Sequence, residues 1–276
     1  MTQPLKKHKK VKPRRRVPRF ALLIGCEYVK YARQGYLSRL PGCHADVRSL
    51  GKILRKRYGY RTKCLTDINP RKGKRQPTRK NIINWLKHVV RLAKLGTHKI
   101  IIYYSGHGTY VADKSNDEKD NRDEALVPVD FKNGFITDDW LFNNVVKQIP
   151  PKCRCLVISD SCHSGTILDL EYHKGMATKE LEVQKTCKHK GTQGITISLS
   201  GCMDPQTSAS AYNLNRRRKW RGAMTWALER VLRQCKRPTL TKTLNNLRRI
   251  LARNRFSQIP ELYTSRLVQP STWRLF

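Results

Sequence analysis

Two apolar stretches constrain this chain more than anything else in it: HKIIIYYSGHG (98–108) and RCLVISDSCHSG (154–165). A strand with one wet face alternates apolar and polar residues, whereas a strand apolar at every position must be covered on both sides. Strands of that kind build a mainly parallel sheet between helices, and the sequence around them supplies the rest. RFALLIGCEYV (19–29), TKCLTD (62–67) and GITISLSG (194–201) read as further strands. ADVRSLGKILRKRYGY (45–60) reads as a helix with Val47, Leu50 and Leu54 on one face. PTRKNIINWLKHVVRLAKLG (77–96) repeats Ile82, Leu86, Val89, Val90 and Ala93 at helical spacing, and Gly96 stops it. DDWLFNNVVKQIP (138–150), GAMTWALERVLRQC (222–235) and LTKTLNNLRRILARN (240–254) complete the helices. The predicted class is α/β, a mainly parallel central sheet with helices on both faces. Residues 1–19 are expected to form a basic, disordered tail. Residues 20–276 are expected to form one domain, with 171–193 an exposed linker between its larger and smaller parts.

The formal net charge is +37, gathered in runs such as KKHKKVKPRRR and NRRRKWR. A surface like that attracts polyanions. Few aromatics interleave with the runs, so the expectation is nonspecific polyanion binding, not base stacking. One region runs the other way. Residues 113–139 hold 9 of the 20 acidic residues and only 4 Lys or Arg. No apolar run approaches the roughly 20 residues that span a bilayer, and no secretory segment follows the basic N-terminus. Nine cysteines without a CxxC pair read as free thiols of a reducing compartment. We therefore expect a monomeric, cytoplasmic protein, with the nucleus as a second reading of the basic tail.

In a parallel sheet the reactive groups gather beyond the carboxyl ends of the strands. Two such ends here carry His107 and Cys162, each in a Gly/Ser turn. Imidazole can draw the proton from a thiol, and the thiolate attacks a carbonyl. His163 is next to Cys162 in sequence, but neighbouring side chains point different ways, so His107 is the expected base. Gly106, Gly108 and Gly165 let backbone amides approach a substrate, and those of Gly108 and Cys162 are the candidate oxyanion donors. Singly, a His or Cys at a strand end is more often structural; the matched pair of turns favours catalysis.

At these residues the sequence resembles the metacaspases, the caspase-like cysteine peptidases. DSCHSG around Cys162 and YSGHGT around His107 carry the resemblance. LPGCHAD (40–46), DEALVPVD (123–130), SGCMDPQTSA (200–209), GAMTWAL (222–228) and FSQIP (256–260) follow in family order. Some 38 residues separate Cys162 from the SGCMD block, which is similar to the short-linker type I arrangement. The resemblance implies a caspase-like fold, a His107–Cys162 dyad and cleavage of protein or peptide substrates after Arg or Lys. It also implies a substrate pocket lined by Cys43, Asp46, Ser105 and Asp160. The chemistry agrees, because a guanidinium or ammonium group needs carboxylates beside the nucleophile. The plainer readings are that Asp160 caps a turn or helix and that Asp46 caps the helix after it.

The resemblance further implies calcium as an activator, held by Asp123, Asp138, Asp139 and Asp169 and not itself a chemical catalyst. Calcium takes six to eight oxygens, which the acidic region can supply. Asp113 to Glu124 also fall in an EF-hand register, but Glu118 stands where that loop needs glycine and a strand precedes it, so we reject that reading. The family resembled here usually has Gly-Tyr or similar before DE, where this chain has Asn121-Arg122, and an arginine beside a cation site would weaken binding. Lys174, Lys179, Lys185, Lys188 and Lys190 offer self-cleavage positions in the linker. The alternative to a peptidase is a non-catalytic scaffold on the same fold that binds nucleic acid or another polyanion.

Overall fold

A computed structural model describes residues 18–68, 73–112, 122–161, 167–174, 182–183, 191–201, 210–212 and 220–276. The chain opens with β1 (Arg19–Gly25), a short α1 (Val29–Arg33), α2 (Cys43–Tyr58), β2 (Arg61–Thr66), α3 (Arg79–Lys94) and β3 (Lys99–Ser105). Three short strands follow, β4 (Gly108–Ala112), β5 (Arg122–Leu126) and β6 (Ile136–Thr137), then α4 (Asp138–Asn144) and β7 (Arg154–Asp160). The remainder is β8 (Tyr172–Lys174), β9 (Glu182–Val183), β10 (Ile195–Ser200), β11 (Ser210–Tyr212), β12 (Trp220–Gly222), α5 (Ala223–Gln234), α6 (Leu240–Arg253) and β13 (Glu261–Thr264).

Among the described residues the main sheet has eight strands, ordered β2-β1-β3-β7-β10-β13-β8-β9. The five from β2 to β10 are parallel. β13, β8 and β9 add on antiparallel. Side chains alternate across each parallel strand, and that alternation divides the core in two. Ala21, Leu23, Ile101, Tyr103, Leu156 and Ile158 face one way, against α2, α5 and α6. Leu22, Ile24, Ile100, Ile102, Tyr104 and Val157 face the other, against α3 and α4. Both faces are dry, as the continuous apolar runs required. Truncating a fully buried residue such as Leu23 or Leu50 to Ala would cost about 2–5 kcal/mol.

Local chemistry sets the helix ends. The Thr78 hydroxyl accepts from the Asn81 amide at the start of α3, and Thr239 does the same for Lys242 at α6. α4 is shorter than its pattern suggests. The backbone leaves helical geometry at Val145 and tightens into a 3-10 turn over Val146–Gln148, ahead of Pro150. β-Branched Val145 and Val146 weaken the helix there, and proline forbids its continuation.

The segment 171–193, expected as a linker, contributes β8 and β9 to the outer edge of the sheet. Lys174 is buried there. Lys179, Lys185, Lys188 and Lys190, like the basic tail through Val17 and the acidic residues 113–121, lie outside the described residues. No helix among the described residues is long and apolar enough to cross a membrane.

Candidate active site

The carboxyl ends of the parallel strands meet in one place. Gly25 of β1 pairs with Ser105 of β3, and Ser105 pairs with Asp160 of β7. His107 and Cys162 are each two residues beyond that last rung in sequence. Cys162 itself, with His163 and Gly165, lies outside the described residues.

His107 is held on several sides. Its Nε2 lies 2.8 Å from the Ser38 carbonyl oxygen and 3.4 Å from the Ser38 hydroxyl. A carbonyl can only accept, so Nε2 carries the proton and Nδ1 keeps its lone pair. Burial lowers the imidazole's pKa below its ordinary value, with the Ser38 carbonyl opposing, which keeps the ring neutral and basic at physiological pH. The ring packs on Tyr28, with centroids 4.8 Å apart. The His107 amide donates to the Tyr28 hydroxyl at 2.9 Å, and the Tyr104 hydroxyl donates to the His107 carbonyl at 2.8 Å. Tyr28 also donates to the Val127 carbonyl at 2.6 Å.

Two further details show how closely this turn is built. Tyr28 adopts a left-handed backbone with φ 54°, uncommon for a bulky residue, which its buried ring and hydroxyl contacts hold in place. A Cβ at Gly106 would come within 2.6 Å of the Tyr104 hydroxyl and 2.8 Å of the Tyr28 hydroxyl, so this position requires glycine. Tyr28, Tyr104 and Ser38 were not legible as positioning residues. Tyr104 adjoins the motif, but Tyr28 and Ser38 reach His107 from 79 and 69 positions away. Gly108, the oxyanion candidate among the described residues, opens β4 and pairs with Leu126.

Cys43, Asp46, Ser105 and Asp160 are brought together and all are buried. Burial raises the Cys43 thiol well above its ordinary value, while a hydrogen bond with Ser105 opposes the rise. Asp160 accepts from the Thr225 amide at 3.0 Å and the Thr225 hydroxyl at 2.6 Å, so it caps the start of α5 from a different strand. Asp46 does not cap α2, whose N-cap is Gly42; it stands in the first turn, where a carboxylate also complements the helix dipole. Its carboxylate takes the Gly222 amide at 2.8 Å and the Nε–H of Arg221. A Cβ at Gly222 would collide with the Asp160 carboxylate and press on that of Asp46 at 3.0 Å.

Arg221 was not foreseen in the sequence. It bridges Asp46 and Glu229, the latter at 2.6 Å, with only 13% of its side chain exposed. Burial opposes its charge, but the two carboxylates outweigh that and hold the guanidinium more firmly protonated than usual. Burial likewise raises Asp46 above the usual carboxylate range, with Arg221 pulling the other way.

A second acidic cluster lies close by in the chain. Carboxylate oxygens of Glu124, Asp138 and Asp169 lie within 4.8 Å of one another, all three residues buried. Asp138 accepts from the Glu124 amide at 2.6 Å and the Asp139 amide at 2.7 Å. Burial pushes its carboxyl up to about 7, with Asp123 contributing. Asp138 and Asp169 were foreseen. Glu124 joins them in that group, whereas Asp123 and Asp139 do not, although Asp123 is also buried. The cluster belongs to both halves of the site: β4 and β5 run directly on from His107, and Asp169 is seven residues after Cys162. Three converging carboxylates, one resisting ionisation, fit a hard divalent cation that takes oxygen ligands.

Residues 19–171 match the model of the metacaspase peptidase C14 domain. This chain belongs to the metacaspases. Metacaspase-1 of Scheffersomyces stipitis is 32% identical over 89% of the chain and 70% of its own length. Metacaspase-1 of Yarrowia lipolytica is 32% identical over 89% of the chain and 61% of its own. The chain thus spans roughly two thirds of these relatives. Among solved structures, protein GSU0716 of Geobacter sulfurreducens superposes with a TM-score of 0.65 at 25% identity, covering 93% of this chain and 97% of that one. Caspase-1 of Spodoptera frugiperda does so at 0.57 and 11% identity, covering 99% and 95%, which bears on the fold alone. The fold is caspase-like, and the metacaspase domain is that of a cysteine-type endopeptidase.

Proposed function

We propose that this metacaspase cleaves peptide bonds after Arg or Lys through His107 and Cys162, and that calcium promotes the reaction. The observation that carries the proposal is His107, with Nε2–H fixed on a carbonyl and Nδ1 left as the base. In the proposed sequence Nδ1 takes the Cys162 proton and the sulfur attacks the scissile carbonyl. The imidazolium then gives that proton to the departing amine, and water releases the acyl group by the same base. Backbone amides of Gly108 and Cys162 would receive the oxyanion. Asp46 and Asp160 would receive the substrate's cationic side chain with Cys43 and Ser105 beside them, and Arg221 would have to give up Asp46 for that to happen.

Glu124, Asp138 and Asp169 would hold calcium, with Asp123 and Asp139 as neighbouring oxygens. The bound ion would bring positive charge to these buried carboxylates. Self-cleavage at the linker lysines beyond Lys174 belongs to the same reading.

The test is hydrolysis of Arg- and Lys-terminated fluorogenic peptides, with calcium and with chelator, by wild type and Cys162→Ala. Cys162-dependent, calcium-enhanced cleavage is expected. Equal turnover of an Asp-terminated peptide would overturn the specificity, equal rates in chelator would overturn the calcium role, and no Cys162-dependent rate would overturn the whole. Mass spectrometry of the calcium-treated enzyme reads the linker; an intact linker in active protein would remove self-cleavage.

A further inference from the structure

At the opposite, amino-terminal end of the sheet a cavity of about 330 Å³ is lined by Arg19, Arg55, Lys56, Arg57, Lys236 and Arg237, and by no acidic residue. That is the small end of the roughly 300–1,000 Å³ typical of ligand pockets. Its cations come from three separate segments: the start of β1, the last turn of α2 and the turn after α5. Tyr58, Gly59 and Phe276 complete the wall.

The plain reading is that cations collect at helix C-termini, where exposed carbonyls favour them. It accounts for part of the cluster: Arg19 donates to the Tyr58 carbonyl at 2.7 Å, and Arg55 is tied to the Thr62 hydroxyl at 2.6 Å. The magnitudes do not close, however. Two helix ends present roughly −0.5 charge each, about −1 in all, against six full positive charges. Among the described residues no carboxylate lies within ion-pair distance of any of the six. The surplus reaches into the strands. Lys99 and Arg154 stand on adjacent rungs beside Arg19. Lys99 is pushed down to about 8 by burial and then by Arg19, Arg154 and Arg237.

We propose that this cavity is an anion site for a compact polyphosphate, distinct from the catalytic end of the sheet. Several phosphoryl groups on one small molecule match a concave wall of guanidinium and ammonium donors. Nucleic acid fits less well. The aromatic surfaces here are spent on each other, with Phe276 packed on Tyr58 at 4.5 Å, and both are buried, so no face is offered to a base.

The experiment must separate a built site from the general attraction of a chain of charge +37. Inorganic tripolyphosphate is titrated calorimetrically into the full chain at an ionic strength of about 0.15 M, where long-range attraction is screened. One variant replaces the exposed Lys56, Lys236, Arg57 and Arg237 by Gln. A matched control replaces exposed cations on α3 and α6: Lys80→Gln, Lys87→Gln, Lys242→Gln and Arg253→Gln. The expected result is one tripolyphosphate per chain, weakened about tenfold or more in the first variant and less than about threefold in the control. Tripolyphosphate should also raise the melting temperature of wild type and control but not of the first variant, whose unliganded melting temperature reports that it folds. Equal weakening in both variants, or many weak sites in wild type, would overturn the proposal. So would binding only to vesicles carrying phosphorylated inositol lipid, or only to single-stranded RNA.

Discussion

The two ends of the sheet are electrostatic opposites. At the carboxyl end, buried carboxylates gather: Asp46 and Glu229 hold Arg221, Asp160 takes the Thr225 amide and hydroxyl, and Glu124, Asp138 and Asp169 converge within 4.8 Å of one another. At the amino end six cations line one cavity with no acid between them. A chain so basic overall concentrates its negative charge where the chemistry is. The difference teaches that the net charge describes the periphery of this protein and says little about its site.

Substitutions at the two ends should therefore behave differently. The largest effect is expected from His107→Ala, which removes the base and should lower kcat/KM for an Arg-terminated peptide by about 10²- to 10⁴-fold. The Gln variant at Lys56, Arg57, Lys236 and Arg237 should stay within about twofold of wild type in the same assay, a bound set by the usual neutrality of surface changes. Comparable losses at both ends would erase the distinction.

Arg221→Ala should come next, read by denaturant unfolding. It leaves buried Asp46 with no cation within ion-pair distance among the described residues and Glu229 with only the exposed Arg233 at 3.7 Å, and breaking a buried pair from one side costs about 3–5 kcal/mol. A cost below about 1 kcal/mol would show that water reaches those carboxylates freely. Asp160→Ala leaves the Thr225 amide and hydroxyl without that partner and should cost about 1–3 kcal/mol, with KM for Arg substrates rising as well. A stability loss with unchanged KM would reduce Asp160 to a helix cap.

The smallest effect is in pH. Because burial lowers the His107 pKa, the acid limb of kcat/KM should fall below the ordinary imidazole value of about 6.5. The same shift makes the unfolded chain the better proton acceptor. Stability from this group is then intact above about 6.5 and erodes as pH falls from there toward the folded pKa. An acid limb above 6.5 would mean that a negative charge, not burial, governs the histidine.

The sequence and the structure agree best where one residue type repeats. β3 and β7 were legible because they are apolar at every position, and α3 because its apolar residues recur at helical spacing. β13 was not: ELYT is four residues long and opens with Glu261, which takes a hydrogen bond from the Tyr263 hydroxyl at 2.6 Å. Within the site, His107, Cys43, Asp46, Ser105 and Asp160 all stand in local motifs. Arg221 was not legible, since its partnership with Asp46 spans 175 positions, and neither was the choice of Glu124, which depends on how β5 faces Asp138.

The order β7-β10-β13-β8 carries one more consequence. A cut at Lys179, Lys185, Lys188 or Lys190 leaves β7 and β8 on the first fragment and β10 and β13 on the second. The second fragment's two strands then lie between strands of the first, with their backbone ladders intact on both sides. Asp160 of the first fragment still caps α5 of the second. A nicked molecule would run as two bands under denaturing conditions yet keep its mass in native solution: a two-chain enzyme held as a clasp.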